Sequence, residues 1–341
     1  MRSKRYVLPL ALALALCLLL SACGTPEPVP DAGPAAPGEG AVLERLEIVT
    51  PPAKTSYESG DAVDLSGLRI DGHYSDGGVA ENLPFTAQTE VIGTKTAAIS
   101  IECMGQLLTL PVDVTVKGNK AEYSVAETPA LADSPAAGLT FFWLGSSVTW
   151  GAESEGESMA DFIGKKYGVT TVKEAVSGTT LAAYAPDSYV ERLDAYLARD
   201  DRAQRVDAFI CQLSTNDTPY TDRYGSVTPD FMTDPALFDT GTTFGALEYI
   251  VARAKETWDC PVYVYTNPPT GKPAYGQLVE GLYTLAEKWD VTVIDLYGDE
   301  AWGAISDSER ALYMADAIHP TRAGYREWWL PKFEQALLGG L

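Results

Sequence analysis

The sequence predicts a three-layer α/β/α fold with a five-stranded parallel sheet, preceded by a small all-β sandwich. From residue 139 onward, apolar runs of strand length alternate with helical stretches, the order that builds parallel sheets with helices on both faces. Between residues 42 and 118, apolar residues instead recur at every second position, as in strands that bury one face. A basic and then apolar N-terminus indicates an export signal before both regions.

The charge and the metal-ligating residues exclude some classes of function. The 341 residues include 25 Lys and Arg against 47 Asp and Glu, which gives a formal net charge of -22 and a pI near 4.4. Such a surface repels phosphate backbones, so we expect no nucleic-acid partner. Two histidines and no Cys-x-x-Cys pair are too few ligands for an ordinary zinc site, whereas a calcium site built from carboxylates stays open.

Residues 1–22 have the pattern of a bacterial lipoprotein signal peptide. Three basic residues precede an apolar run that ends at Leu20 and is shorter than the roughly 20 residues of a membrane-spanning helix. The sequence Leu-Ser-Ala-Cys that ends at Cys23 resembles a lipobox, whose cysteine is lipidated and becomes the mature N-terminus. We therefore expect an exported protein, lipid-anchored to the bacterial cell membrane and facing outward. The alternative is an ordinary cleaved signal in which Cys23 is incidental.

Residues 23–41 are predicted to form a tether between the lipid and the folded regions. The seventeen residues from Gly24 to Gly40 contain five prolines and four glycines, a composition typical of extended linkers. At about 3.1 Å per residue such a segment reaches roughly 50 Å. That length would lift a domain off the membrane.

Residues 42–118 are predicted to form the all-β sandwich. Apolar and polar residues alternate from Ile99 to Cys103 and from Leu108 to Val116, the period of half-buried strands. The stretch from Leu43 to Gly77 resembles the bacterial Ig-like domains found as spacers and adhesive modules in surface proteins. The sequence does not discriminate an inert spacer from a module that docks on cell-wall material or glycan. His73 lies in this region and is interpreted as structural, since nothing nearby forms a catalytic set.

After a linker over residues 119–138, residues 139–341 are predicted to form the α/β domain. Five apolar runs are predicted as strands: LTFFWL from Leu139, VTTVKEAV from Val169, VDAFICQL from Val206, PVYVYTNP from Pro261 and VTVIDLYG from Val291. The helices are predicted near Ser158–Tyr167, Ser188–Ala198, Phe244–Thr257, Gln277–Trp289 and Thr321–Leu338. In parallel sheets of this kind, active sites lie at the carboxyl ends of the strands.

Chemically useful residues follow the predicted strands. Ser147 comes after the first strand, Gly178 after the second and Asn216 after the third, and near the C-terminus Asp316 precedes His319, the only histidine in the predicted α/β domain, by three residues. A serine needs an adjacent base to act as a nucleophile, and that base needs a third group to fix its tautomer. An acyl oxyanion needs donors, which the Ser147 N–H, the Gly178 N–H and the Asn216 amide can supply. The set therefore predicts catalytic Ser147, His319 and Asp316 with an oxyanion hole of Ser147, Gly178 and Asn216.

The order of these motifs resembles the SGNH hydrolases, also called the GDSL family of esterases and lipases. The resemblance spans residue 139 to the C-terminus and implies a flavodoxin-like sheet order. Two positions depart from the family pattern: Ser146 stands where aspartate is most frequent, and Ser214 stands where a glycine commonly opens the third block. Because neither position has a bond-making role, the departures bear on substrate shape more than on catalysis.

We therefore expect a serine esterase that works through an acyl-enzyme and needs no metal or organic cofactor. The tether, the Ig-like region and the acidic surface suit an enzyme acting on external glycans, and the resemblance implies removal of acyl or acetyl esters from carbohydrate. The alternatives are a lipid or lysophospholipid esterase beside the membrane, and a surface adhesin that binds glycans without turnover. Five tryptophans could stack on sugar rings, although such residues are more often buried: Trp143, Trp150, Trp302, Trp328 and Trp329.

Overall fold

The computed structural model of the chain describes residues 34–340. The predicted signal peptide, the lipidation site Cys23 and much of the predicted tether lie outside the described residues. No helix within residues 34–340 has both the length and the apolar composition needed to cross a bilayer.

Eight short strands occupy the described chain before residue 116. Their bounds are β1 Leu43–Thr50, β2 Ser56–Glu58, β3 Arg69–Tyr74, β4 Val79–Ala80, β5 Phe85–Ala87, β6 Ala98–Cys103, β7 Gln106–Pro111 and β8 Asp113–Thr115. The predicted alternation holds in β6, where Ile99, Ile101 and Cys103 are buried and the residues between them are more exposed. This part of the chain is therefore an all-β region dominated by antiparallel pairing.

The described chain divides into two compact units. One comprises the described residues up to Pro51 together with Gly67–Pro84, and its sheet has the antiparallel order β1-β3-β4. The other comprises Pro52–Ser66 and the chain from Phe85 onward. Its β strands before residue 116 form the parallel pair β2-β8 and the antiparallel sheet β5-β6-β7.

The second unit also contains an alternating series of strands and helices. Its strands are β9 Thr140–Gly145, β10 Thr170–Ala175, β11 Ala208–Gln212, β12 Val262–Tyr265 and β13 Thr292–Ile294. Its α-helices are α1 Ser147–Trp150, α2 Met159–Tyr167, α3 Tyr189–Leu197, α4 Thr243–Trp258, α5 Pro273–Trp289, α6 Glu300–Gly303, α7 Asp307–Tyr313 and α8 Leu330–Leu338. A π-helical segment, Gly324–Trp329, precedes α8, so the helix predicted over Thr321–Leu338 is not regular along its whole length.

The five strands form one parallel sheet in the order β10-β9-β11-β12-β13, which confirms the predicted fold class. Successive side chains of β9 point to opposite faces, as a strand requires. Phe142 and Leu144 pack in one core with α3, α4 and α5. Phe141 and Trp143 pack in the other with α2 and α8. Because the layers bury both faces, the carboxyl edge is where loops are free to carry functional groups.

Candidate active site

The turn after β9 brings a serine to the carboxyl edge of the sheet. β9 ends at Gly145, and α1 begins two residues later at Ser147. A β-carbon at Gly145 would lie 1.7 Å from Oγ1 of Thr149, so only glycine lets the strand end this close to the helix. The abrupt turn leaves Ser147 8% exposed, in the wall of a cavity.

A buried amide holds this turn in place and links it to the C-terminal loop. Oε1 of Gln212 accepts hydrogen bonds from the Ser146 N–H at 3.0 Å, the Ser146 hydroxyl at 3.2 Å and the Thr149 hydroxyl at 3.0 Å. Nε2 of Gln212 donates to Oδ1 of Asn267 at 3.2 Å, and Nδ2 of Asn267 donates to the Ile318 carbonyl at 3.1 Å. Ser146, one of the two positions that depart from the resembled pattern, is thus part of a hydrogen-bonded network.

The predicted serine, histidine and carboxylate lie in one hydrogen-bonded line. Nε2 of His319 is 2.8 Å from Oγ of Ser147, and Nδ1 of His319 is 2.9 Å from each carboxylate oxygen of Asp316. Oδ1 of Asp316 also accepts from the backbone N–H groups of Ile318 and His319, both at 2.8 Å. A single loop therefore supplies the imidazole and the group that orients it, at distances that permit proton transfer from the serine.

Asp316 is held in its ionised form. Burial acts to raise the pKa of Asp316, but hydrogen bonds from Lys95, from His319 and from the backbone outweigh it and keep that pKa well below its ordinary value. The carboxylate is consequently charged at neutral and mildly acidic pH. It can stabilise a positive charge that forms on the adjacent imidazole.

Three hydrogen-bond donors lie beside the serine. Within residues 34–340, neither the Ser147 N–H nor the Gly178 N–H donates to a protein acceptor. The φ of +82° at Gly178 is a conformation that other residues rarely adopt. Nδ2 of Asn216 carries two hydrogens, and its one acceptor in the described part of the chain is the Thr179 carbonyl at 2.9 Å. These donors are those predicted for the oxyanion hole.

Two buried charged side chains fix the loop that carries Gly178. Asp217 accepts a hydrogen bond from the Leu181 N–H at 2.9 Å, and burial raises the pKa of Asp217 to about 6. The guanidinium of Arg192 donates to the carbonyls of Gly145 at 2.7 Å and Glu174 at 2.6 Å. Arg192 thus ties the carboxyl ends of β9 and β10 together, which sets the spacing between the serine turn and the glycine loop.

The cavity at this edge is small and open, and most of the residues that line it carry a polar side chain. Its volume is about 300 Å³. It is lined by Ser147, Ala152, Glu153, Ser177, Gly178, Thr215, Asn216, Ile318 and His319. Four of the five predicted site residues line this cavity. The fifth, Asp316, does not line it but contacts His319, which does. Only Ala152 and Ile318 offer aliphatic side chains to a bound group.

The five candidate tryptophans do not lie in this cavity. Trp143, Trp328 and Trp329 are buried, and Trp302 stacks on Trp328 with ring centroids 4.3 Å apart. Trp150 is 47% exposed and has the Lys173 ammonium over its ring. Most of these side chains therefore serve packing, which is the commoner role of tryptophan.

Some residues around the site were not identified from the sequence. Gln212 ends β11 and Asn267 follows β12, so the strand-end rule applied to every strand would have found both. Lys95 and Glu153 had no such signal: the Lys95 ammonium is 2.9 Å from Oδ2 of Asp316 and 3.0 Å from Oε1 of Glu153. Nε2 of His73 lies 2.8 Å from Oε2 of Glu47 on the neighbouring strand.

A metal ion at this position would compete with the Lys95 ammonium for the same carboxylates. Ligand atoms of Glu153, Asp316 and His319 lie within 4.8 Å of one another, a spacing that a cation could bridge. The ammonium of Lys95 already contacts both carboxylates. It therefore supplies the positive charge that the two acidic groups require.

Comparison with known proteins gives a family match over the region just described. The model of the GDSL-like Lipase/Acylhydrolase family matches residues 143–327. Among curated proteins, none matches the sequence.

Solved structures resemble part of the chain. A protein from Lactobacillus plantarum is 18% identical, with 60% of this chain and 99% of that one covered and a TM-score of 0.48. A possible lipase from Chitinophaga pinensis is 14% identical, with 59% and 99% covered and a TM-score of 0.42. An acetyl xylan esterase from Geobacillus stearothermophilus is 14% identical, with 59% and 95% covered and a TM-score of 0.40.

Proposed function

Since the chain belongs to the GDSL-like lipase and acylhydrolase family of ester hydrolases, we propose that it is a serine esterase that removes short acyl groups, chiefly acetyl, from carbohydrate. The observation that carries this proposal is the line of hydrogen bonds from Ser147 through His319 to Asp316. No metal or organic cofactor enters the reaction.

The reaction has two halves. As Oγ of Ser147 attacks the ester carbonyl carbon, Nε2 of His319 takes the hydroxyl proton, and it then gives this proton to the leaving alcohol oxygen. The product is an acyl-enzyme ester on Ser147. In the second half, His319 takes a proton from a water molecule as the water oxygen attacks the acyl carbon. The bond between the acyl carbon and Oγ of Ser147 then breaks, and His319 returns the proton to Oγ.

Charge is stabilised at two points during each half. Asp316 stays ionised because of its low pKa and stabilises the imidazolium of His319. The tetrahedral oxyanion accepts hydrogen bonds from the Ser147 and Gly178 N–H groups and from the Asn216 amide. Because these donors are fixed before the substrate arrives, they need no reorganisation in the transition state.

The cavity lining supports a short acyl group. A long acyl chain gains about 0.8 kcal/mol for each methylene that it buries, and that gain requires apolar walls. Here only Ala152 and Ile318 are aliphatic. The remaining polar lining, with Glu153 and Thr215 beside the catalytic residues, suits the hydroxyl groups of a sugar.

A series of p-nitrophenyl esters tests the acyl preference. For the chain from residue 24 onward, we expect kcat/KM for the acetate to exceed that for the octanoate by roughly tenfold, because the cavity does not bury the added methylenes. The butyrate should lie between them. A preference for chains beyond about eight carbons would overturn the carbohydrate proposal and favour the lipid or lysophospholipid esterase.

The proposed location is the outer face of the bacterial membrane. Cys23 carries the lipid, residues 23–41 act as the tether, and residues 42–118 form an Ig-like module that docks on wall polymer or glycan. The antiparallel strands of the β region support such a module, and the alternative is an inert spacer.

Lipidation is tested by the Cys23→Ser variant expressed with its signal peptide. We expect the variant to move from the membrane fraction to the soluble exported fraction, since a thioether-linked lipid cannot form on serine. The soluble variant should keep its activity on p-nitrophenyl acetate, because Cys23 is remote in sequence from the site residues. Export of wild type in soluble form would support the ordinary cleaved signal instead.

A further inference from the structure

The loop between β5 and β6 contacts the catalytic loop, which carries Asp316 and His319. The segment 88–97, between β5 and β6, carries Lys95, whose ammonium lies 2.9 Å from Oδ2 of Asp316. The hydroxyl of the adjacent Thr94 donates to the Ala315 carbonyl at 2.6 Å. Two consecutive residues therefore hold two consecutive residues of the loop that ends in His319, within one compact unit.

The contact with Lys95 restricts the Asp316 side chain, which burial alone does not hold in place. The Asp316 side chain is 32% exposed, and an exposed carboxylate has rotational freedom that a deeply buried one lacks. Backbone N–H groups of Ile318 and His319 fix Oδ1. Oδ2 contacts the imidazole of His319 and the ammonium of Lys95, so Lys95 is the second group that fixes this oxygen. With both oxygens held, the carboxylate plane stays aligned with the imidazole.

We propose that Lys95 is a positioning residue for the Asp316–His319 pair, so that the loop between β5 and β6 completes the active site. This inference rests on the proposed esterase function and assigns a role to a residue outside the region matched by the family model, residues 143–327. Lys95 touches no reacting atom; it acts through the carboxylate. Glu153 shares the ammonium at 3.0 Å and keeps Lys95 over the catalytic loop.

The exposure of Lys95 makes the proposal testable by substitution. Its side chain is 57% exposed, and ion pairs at such positions contribute little to folding stability. Lys95→Met should therefore fold as wild type does. A change in activity would then report on the site rather than on the fold.

The kinetic test uses the full chain with p-nitrophenyl acetate. For Lys95→Met we expect kcat to fall roughly three- to tenfold with KM changed less than twofold, since the pair is partly screened by solvent. Lys95→Arg should recover most of that loss because it keeps a cation at the carboxylate. The matched control is Lys54→Met, which removes an exposed lysine paired with Asp61 at 2.9 Å and should leave kcat unchanged. Equal activity of Lys95→Met and wild type would overturn the proposal, as would a loss that arginine does not recover.

A second readout does not depend on turnover. The chain has two histidines, so the ring signals of His319 can be followed by NMR at a fixed pH with His73 as an internal reference. The charged groups around the imidazole are Asp316 on its own loop, Lys95 from the β5–β6 loop and Glu153 after α1. Because Lys95 holds Oδ2 of Asp316, the Lys95→Met substitution should shift the ring signals of His319 and leave those of His73 unchanged.

The two readouts separate failure of this inference from failure of the proposed function. Unshifted His319 ring signals in Lys95→Met would overturn the positioning role even if the wild type is an active esterase. Absence of ester hydrolysis by wild type would overturn the function, while shifted His319 ring signals in Lys95→Met would still support the coupling of Lys95 to the histidine.

Discussion

Replacing Ser147 by alanine is expected to lower kcat for p-nitrophenyl acetate by about 10⁴-fold or more, with the fold intact. The change removes the only oxygen within hydrogen-bond distance of Nε2 of His319 among the described residues. Without it no acyl-enzyme can form. In serine hydrolases with a triad, loss of the nucleophile leaves only the residual rate that substrate binding and the oxyanion hole supply. The measurement is steady-state hydrolysis beside wild type, with circular dichroism and thermal unfolding to check the fold.

Two neighbouring serines provide the matched controls. Ser177 lines the same cavity but has no imidazole partner, and the Ser146 hydroxyl is engaged with Gln212. A fluorophosphonate probe followed by peptide mass analysis should modify Ser147 and neither of the others. Modification of Ser177, or activity in Ser147→Ala within about tenfold of wild type, would remove Ser147 from the nucleophile's role.

The same variant also separates an enzyme from an adhesin. If Ser147→Ala binds glycan and wild type turns over no ester, the hypothesis of a non-catalytic surface adhesin would be favoured. Turnover by wild type that disappears in Ser147→Ala would leave the adhesin without support.

The α/β architecture and its site could be predicted because their signals are local. The central strands β9, β11 and β12 lie in largely apolar runs, as VDAFICQL illustrates around β11, and helical stretches follow the strands along the chain. Parallel order then places the strand ends at one edge. For that reason Ser147, Gly178 and Asn216, which lie far apart in sequence, could be assigned to one site.

The supporting contacts could not be predicted because they join distant segments through specific side chains. Nothing in the sequence around Lys95 distinguishes it from an ordinary surface lysine, and its partner Asp316 lies 221 residues away. The link from Gln212 through Asn267 to the C-terminal loop is likewise set by packing in three dimensions. Alternation in the β region predicted strands such as β6 and β7, but it contains no information on the parallel pairing of β2 with β8.

Replacing Asn216 by alanine is expected to lower kcat by about 10²- to 10³-fold, with a much smaller effect on KM. The Asn216 amide is one of three donors predicted to hold the oxyanion, and removing one such donor commonly has an effect of this size. The oxyanion forms only in the transition state and the tetrahedral intermediate, so the loss should fall on kcat.

Two further variants make this interpretation specific. Asn216→Asp keeps the shape of the side chain but replaces the donor with a carboxylate, so it should be at least as damaging as alanine. Gln204→Ala removes an exposed amide that donates a hydrogen bond to the Arg202 carbonyl, and it should retain wild-type kcat. Because Nδ2 of Asn216 also donates to the Thr179 carbonyl, thermal unfolding of the variants must be compared. A fall in kcat of less than threefold in Asn216→Ala would exclude its amide from the oxyanion hole and leave the Ser147 and Gly178 N–H groups as the donors.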